Sequence, residues 1–328
     1  MSLTINTNLS SLIVQSNLNK STNALNLAME RMTTGYKINH ASDNAAGYSI
    51  AKSWEAKLGS LDVAADNAAT GADMLSTLED HYALISTHIQ RVRDLTEQAA
   101  NGTYGDQSKQ AIEEEIKARL QEVNRIAANC EFGGQYLMNN SLGDTYLQVG
   151  LDSDSSKSGI LMQANLFADG SIRSLFEMIK TGENAAKDIT VNRAYQVELT
   201  AEEKQGKTAD QQKELLATKY LNEVAKDCAG RTDQEGHRAK EMLEVVDQVI
   251  NRISKRVTTL GAASNRIQSA IDSIGVQSEN ILSSLSTLRD ADVAEESSNY
   301  LKSQILQQAS ATLLATANQQ PSIALNLL

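Results

Sequence analysis

The chain has 328 residues, a formal net charge of −11, 4% aromatic residues and a single proline, Pro321. So few rings argue against a thick globular core, and so little proline permits long unbroken helices. The acidic balance argues against sequence-independent binding to nucleic acid, which needs Lys and Arg to neutralise phosphates, and no apolar run is long enough to span a bilayer.

Met1 to Lys20 lacks a basic start followed by an apolar block, so no cleavable secretory signal is visible. Taken alone, this points to the cytoplasm. Leu18, Leu25 and Met32 recur every seven residues, after Leu9, Leu12 and Ile13. A longer stripe follows through Trp54, Leu58, Leu61, Ala65 and Ala68, then Leu75, Leu78, Tyr82, Ile85, Ile89 and Val92. Its three-four spacing predicts one face of an amphipathic helix. Asn101-Gly102 and Gly105 interrupt it with turn signals. A further helix reads Ile112, Ile116, Leu120, Val123 and Ala127 and ends at Gly133-Gly134. Within it, Glu113-Glu114-Glu115 reads as a solvated face.

Thr145 to Val149 alternates, a polar loop follows, and Ile160 to Gln163 is apolar again, which predicts a small β-hairpin. From about 167 to 236 the chain is polar and charged. Ala201 to Lys204 and Gln211 to Val224 read as helical there, with Leu215, Leu216, Tyr220 and Val224 on one side. The clearest pattern comes next: Leu243, Val246, Ile250, Ile253, Val257, Leu260, Ser264, Ile267, Ile271, Ile274, Ser278, Ile281, Leu285 and Leu288. Steps of three and four alternate strictly, which is a heptad seam. At 1.5 Å per residue it makes a rod on the order of 70 Å long, and that rod needs partner helices. The last segment carries Leu301, Ile305, Ala309 and Leu313 every four residues. Both ends are rich in Asn, Gln, Ser and Thr, and neither is apolar enough to form a core alone.

These elements predict a mainly α fold: a long coiled-coil helical bundle made from N- and C-terminal segments, with a small β-hairpin and a small helical outer insert. Ordering a thin stripe costs about as much as its burial returns. The two ends are therefore expected to be disordered in a single copy and to fold on assembly.

Several motifs carry a family resemblance. Ile5-Asn6-Thr7-Asn8, Asn17 to Ser21, Met29 to Gly35 and Ile38 to Gly47 stand near the start. Leu288-Arg289-Asp290-Ala291-Asp292 and Ser303 to Ala309 stand near the end. In this order and spacing they resemble bacterial flagellin over roughly the first 165 and the last 90 residues. Three features depart from the family pattern: Asn44 stands where aspartate is common, the chain ends in Leu327-Leu328 without a basic last residue, and cysteine is unusual.

The resemblance implies three regions: 1–42 with 290–328 as an inner terminal coiled coil, 43–166 with 237–289 as a middle helical bundle, and 167–236 as a variable outer insert. It also implies a structural subunit that polymerises into the flagellar filament for motility. Such a subunit leaves the cell unfolded through the flagellar type III system, so the expected location is extracellular. The implied partners are further copies of the chain, an export chaperone, and filament cap and junction proteins. Neither nucleic acid nor membrane is an expected partner, and no cofactor is implied.

The assembly core is expected at Leu18, Leu25, Met32, Leu301, Ile305 and Leu313, and chaperone binding at Leu301, Ile305, Leu313 and Leu314. Gln90-Arg91-Val92-Arg93-Asp94-Leu95 resembles the flagellin patch read by an innate immune Toll-like receptor, and Glu115 matches an acidic residue on the adjacent helix. The implied receptor residues are therefore Gln90, Arg91, Leu95 and Glu115. Arg91 and Leu95 are four apart and share a helix face, near the edge of the seam that contains Val92. A plainer reading gives the same patch to contacts between filament subunits, with Arg91 paired to a carboxylate.

No catalytic constellation is visible. His81 and His88 are two turns apart, no HExxH motif occurs, and no Gly-rich phosphate loop or nucleophile elbow appears. Cys130 and Cys228 form no CxxC motif. They read as buried free thiols, with a disulfide as the alternative. A hook-filament junction protein and a soluble coiled-coil scaffold are the competing functional readings. The Gln304-to-Ala309 motif and the receptor-like patch favour the filament subunit.

Overall fold

The computed structural model describes residues 8–152, 154, 158–177, 209–231 and 237–325. Its elements in chain order are α1 (Leu9–Thr34), α2 (Ala45–Ala99), α3 (Asp106–Ala128), β1 (Glu131–Phe132), β2 (Gln135–Tyr136), β3 (Thr145–Gln148), β4 (Gly159–Met162), a 3-10 turn (Ala164–Phe167), α4 (Ile172–Glu177), α5 (Ala209–Cys228), α6 (His237–Arg289) and α7 (Val293–Leu325). The chain divides into two compact units: Met1–Asp62 with Gly275–Leu328, and Val63–Ile274. The divisions fall inside α2 and α6.

The unit of Val63–Ile274 has a continuous apolar core. From α2 it takes Leu75, Leu78, Tyr82, Ile85, Ile89, Val92 and Leu95; from α3 it takes Ile116, Leu120 and Val123. The α6 seam is ordered by depth. Val246, Ile253, Leu260 and Ile267, each seven residues from the next, are fully buried, whereas Ile250 and Val257 between them and Ile271 just after are half-buried. This is the expected behaviour of a heptad stripe, in which one of its two positions lies closer to the partner helices.

The expected hairpin forms between β3 and β4, with Thr145 opposite Met162 and Leu147 opposite Ile160. It rests on α2 at Gly71. A Cβ there would press on the Leu147 side chain at Cδ2, so any larger residue would force that side chain to shift. Asn67 Nδ2 also donates to the Gln148 carbonyl at 3.2 Å. A second, smaller hairpin pairs Glu131 with Tyr136 and Phe132 with Gln135. Gly133 and Gly134 form its turn at φ +59° and +83°, a tight-turn geometry that demands two left-handed residues. The sequence marks this pair only as the end of α3.

Helix α5 lies in the stretch expected to be an outer insert. Its Tyr220, Leu221, Val224 and Cys228 belong to the same core as α2, α3 and α6, while Leu215 and Leu216 are half-buried. The helix expected at Ala201 to Lys204 lies outside the described residues.

The acidic triplet on α3 needs a correction. Glu114 is exposed, but Glu113 is buried and bonded to the Arg231 guanidinium. The pairing explains the burial, because a carboxylate leaves water readily only when matched by charge and hydrogen bonds. Cys130 and Cys228 are both buried free thiols, which decides between the two readings of the cysteines.

Candidate assembly surface

The unit of Met1–Asp62 with Gly275–Leu328 contains the α1/α7 pair. Helix α1 starts at Asn8, whose side-chain oxygen accepts from the Ser11 N–H, and stops at Gly35 in left-handed conformation. At the other end of the pair, Asp292 caps α7 by accepting from Ala294 N at 2.8 Å. The two helices run antiparallel. Asn8 Nδ2 donates to the Ala317 carbonyl at 2.7 Å, and Ser11 Oγ donates to Asn318 Oδ1 at 2.7 Å. Gln307 Nε2 donates to Thr22 Oγ1 at 3.1 Å, and Arg31 pairs with Glu296 at 3.1 Å.

The inner face of α7 is not its most apolar face. Among its described side chains the buried ones are Glu296, Ser303, Ser310 and Ala317, again seven apart. The large aliphatics point away from α1: Leu301 is 56% exposed, Ile305 64% and Leu313 56%, whereas Leu314 is half-buried. On α1, Leu18 and Leu25 are half-buried, Ala28 is fully buried and Met32 is 38% exposed. Leu9, Leu12 and Ile13 are also exposed. Small and polar side chains allow close approach and fix register, but they bury little apolar area. The aliphatic surface left outside is of the kind that marks an association site.

A second surface lies on the Val63–Ile274 unit. Gln90 and Arg91 are exposed on α2. Arg91 Nε and Nη2 reach the same Glu115 oxygen at 3.0 and 2.9 Å, and Arg119 stands 3.8 Å from it. Leu95 differs from the expectation of an edge position, because it is only 2% exposed and belongs to the core. The α2 stripe does not stop at Val92. It continues through Leu95, Thr96 and Ala99, all buried, and the three-residue step from Val92 to Leu95 is the signal that could have shown this.

The profile of the bacterial flagellin N-terminal helical region matches residues 5–142, and that of the bacterial flagellin C-terminal helical region matches residues 243–328. Polar flagellin F of Vibrio parahaemolyticus is 31% identical over the whole of both chains. The chain belongs to the bacterial flagellin family. Flagellin B of Vibrio cholerae is 30% identical, also over the whole of both chains. B-type flagellin of Pseudomonas aeruginosa is 40% identical over 52% of this chain and 35% of its own length. The crystal structure of Bacillus cereus flagellin aligns with 64% of this chain and 88% of that one, at a TM-score of 0.41 and 19% identity. As a flagellin, the chain is a structural protein. Both terminal helices fall within the matched regions, and α5 lies outside them. No described helix is long and apolar enough to cross a membrane.

Proposed function

We propose that this flagellin polymerises through its α1/α7 pair into the extracellular filament of the flagellum, which serves motility. One observation carries the reading: the pair keeps Ser303, Ser310 and Ala317 inside and leaves Leu301, Ile305 and Leu313 outside. A single copy cannot cover that aliphatic surface, and neighbouring copies supply the missing faces. The outer turns of α1 and α7 gain most of their order at that step.

Seeded growth tests this. Sheared filament fragments are added to purified full-length chain, and elongation is followed by electron microscopy. Long filaments are expected from the natural sequence and none from an Ile305→Ser, Leu313→Ser double variant. Short caps would favour the hook-filament junction reading, discrete oligomers would favour a scaffold, and unimpaired growth of the double variant would remove α7 from the polymer interface.

The same exposed stripe suits export. Leu301, Ile305 and Leu313 form the exposed apolar side of α7, with half-buried Leu314 turned toward the side of Ser310 and Ala317, and an amphipathic helix of this kind docks in an apolar groove. We assign it to a chaperone that delivers the unfolded chain to the flagellar type III route. Cap and junction proteins are the partners at the filament ends. A second reading concerns Gln90, Arg91 and Glu115 as a patch for an innate immune Toll-like receptor. The exposure of Gln90 and Arg91 and the Arg91–Glu115 pairing support it, with Leu95 contributing from beneath as packing. Unchanged receptor signalling by an Arg91→Ala monomer would count against this assignment.

A further inference from the structure

The chain passes twice between the terminal pair and the long helices, once through residues 35–44 and once through 290–292. Inside the unit of Met1–Asp62 with Gly275–Leu328, these two connectors lie side by side as a miniature antiparallel ladder. Tyr36 bridges Asp290, Lys37 N donates to the Arg289 carbonyl at 2.7 Å, and Ala291 N donates to the Gly35 carbonyl at 2.9 Å. Lys37 Nζ adds a bond to the Thr287 carbonyl at 2.9 Å.

The side chain of Arg289 sits across this ladder. Its guanidinium carbon lies 3.9 Å from the centre of the Tyr36 ring, close enough for a strong cation–π contact. The same guanidinium is bonded to the Glu55 carboxylate of α2, and its side chain is only 18% exposed. Glu55 is itself held by Lys52 at 2.7 Å. Arg289 is the last residue of α6, so one side chain joins the end of α6, the first connector and the third turn of α2. A planar guanidinium can stack on a ring and pair edge-on with a carboxylate at once, which a lysine ammonium cannot.

We propose that Arg289 is a positioning residue that latches the two connectors together, so that the joint beneath the α1/α7 pair behaves as a stiff element instead of two loose strands. The aliphatic stripe of α7 is then presented in one orientation. This consequence rests on the filament reading, but the latch itself does not.

Amide hydrogen exchange on the full-length monomer tests the latch. In the natural sequence, the Lys37 and Ala291 amides are expected to be protected more strongly than those of the first turns of α1. Arg289→Ala speeds exchange at both by about tenfold, on the scale of one ring contact plus one partly screened ion pair. The Ile116 amide, in the other unit, stays unchanged. Arg289→Lys gives an intermediate effect, Tyr36→Phe none, Tyr36→Ala a smaller one than Arg289→Ala, and the two alanine changes combined little more than Arg289→Ala alone. Unprotected Lys37 and Ala291 amides in the natural sequence, equal exchange in Arg289→Ala, or fully additive single effects would each overturn the proposal. Filaments of Arg289→Ala should depolymerise at a lower temperature. A natural chain that forms no filament would defeat the polymerisation reading and leave the exchange result standing.

Discussion

The two units use the same seven-residue rhythm to opposite ends. In α6 the repeat that turns inward is Val246, Ile253, Leu260 and Ile267; in α7 it is Glu296, Ser303, Ser310 and Ala317. The first fills an apolar core within one copy. The second brings two helices together at little gain and holds the aliphatic residues outward. Periodicity alone therefore states that a helix has a partner face. The chemistry at the repeat decides whether that face is the one that stabilises the fold or the one that only sets register.

Matched truncations break or sharpen this contrast. Leu78→Ala, at the centre of the Val63–Ile274 core, is expected to cost about 2–5 kcal/mol in thermal or denaturant unfolding. Leu301→Ala should change monomer stability by no more than about 0.5 kcal/mol, because its side chain already faces solvent. Equal losses would erase the distinction. Gly71→Ala comes next. Its methyl would collide with Leu147, and overpacking of this kind costs about 1–3 kcal/mol, visible as early loss of the β3–β4 hairpin in amide exchange.

The thiols give a pH test confined to the packed unit. Burial pushes Cys130 from the ordinary 9.0 up to about 11 and Cys228 to about 12. Above pH 9 the unfolded chain releases these protons while the folded chain retains them, so stability falls as pH rises toward 11–12 and is fully present below 9. Unfolding midpoints of the Val63–Ile274 unit across that range should drop, and a Cys130→Ala, Cys228→Ala variant should drop less. Neither thiol should react with an alkylating agent at neutral pH until the chain is unfolded. A small effect is also expected for Arg91→Ala. Its pair with Glu115 is solvent-exposed, so the loss in unfolding free energy should stay within about 1 kcal/mol.

Much of the architecture is legible in the sequence, for identifiable reasons. The α6 seam is long, and its steps of three and four match one helical face over many turns, so burial follows the pattern closely. The β3–β4 hairpin shows itself by alternation from Thr145 onward. What escaped lacks a local signature. Strands β1 and β2 have two residues each, too few for any period. Glu113 looks like part of a charged surface because its partner Arg231 lies 118 residues away. The buried line of α7 passes unnoticed when large apolar residues are taken as the mark of an inner face. Leu301, Ile305 and Leu313, the residues proposed for assembly, stand out in the sequence as an apolar stripe, and the structure leaves them exposed beside α1.

The depth ordering of α6 also limits how its gene can drift. Removing one codon between Val246 and Ile267 would rotate everything downstream by about 100° around the helix axis, turning the inward residues toward water along the rest of the rod. Loss or gain of seven codons would keep the phase. Length variation in this helix should therefore be found in whole repeats, and single-codon changes should be confined to the turns and connectors.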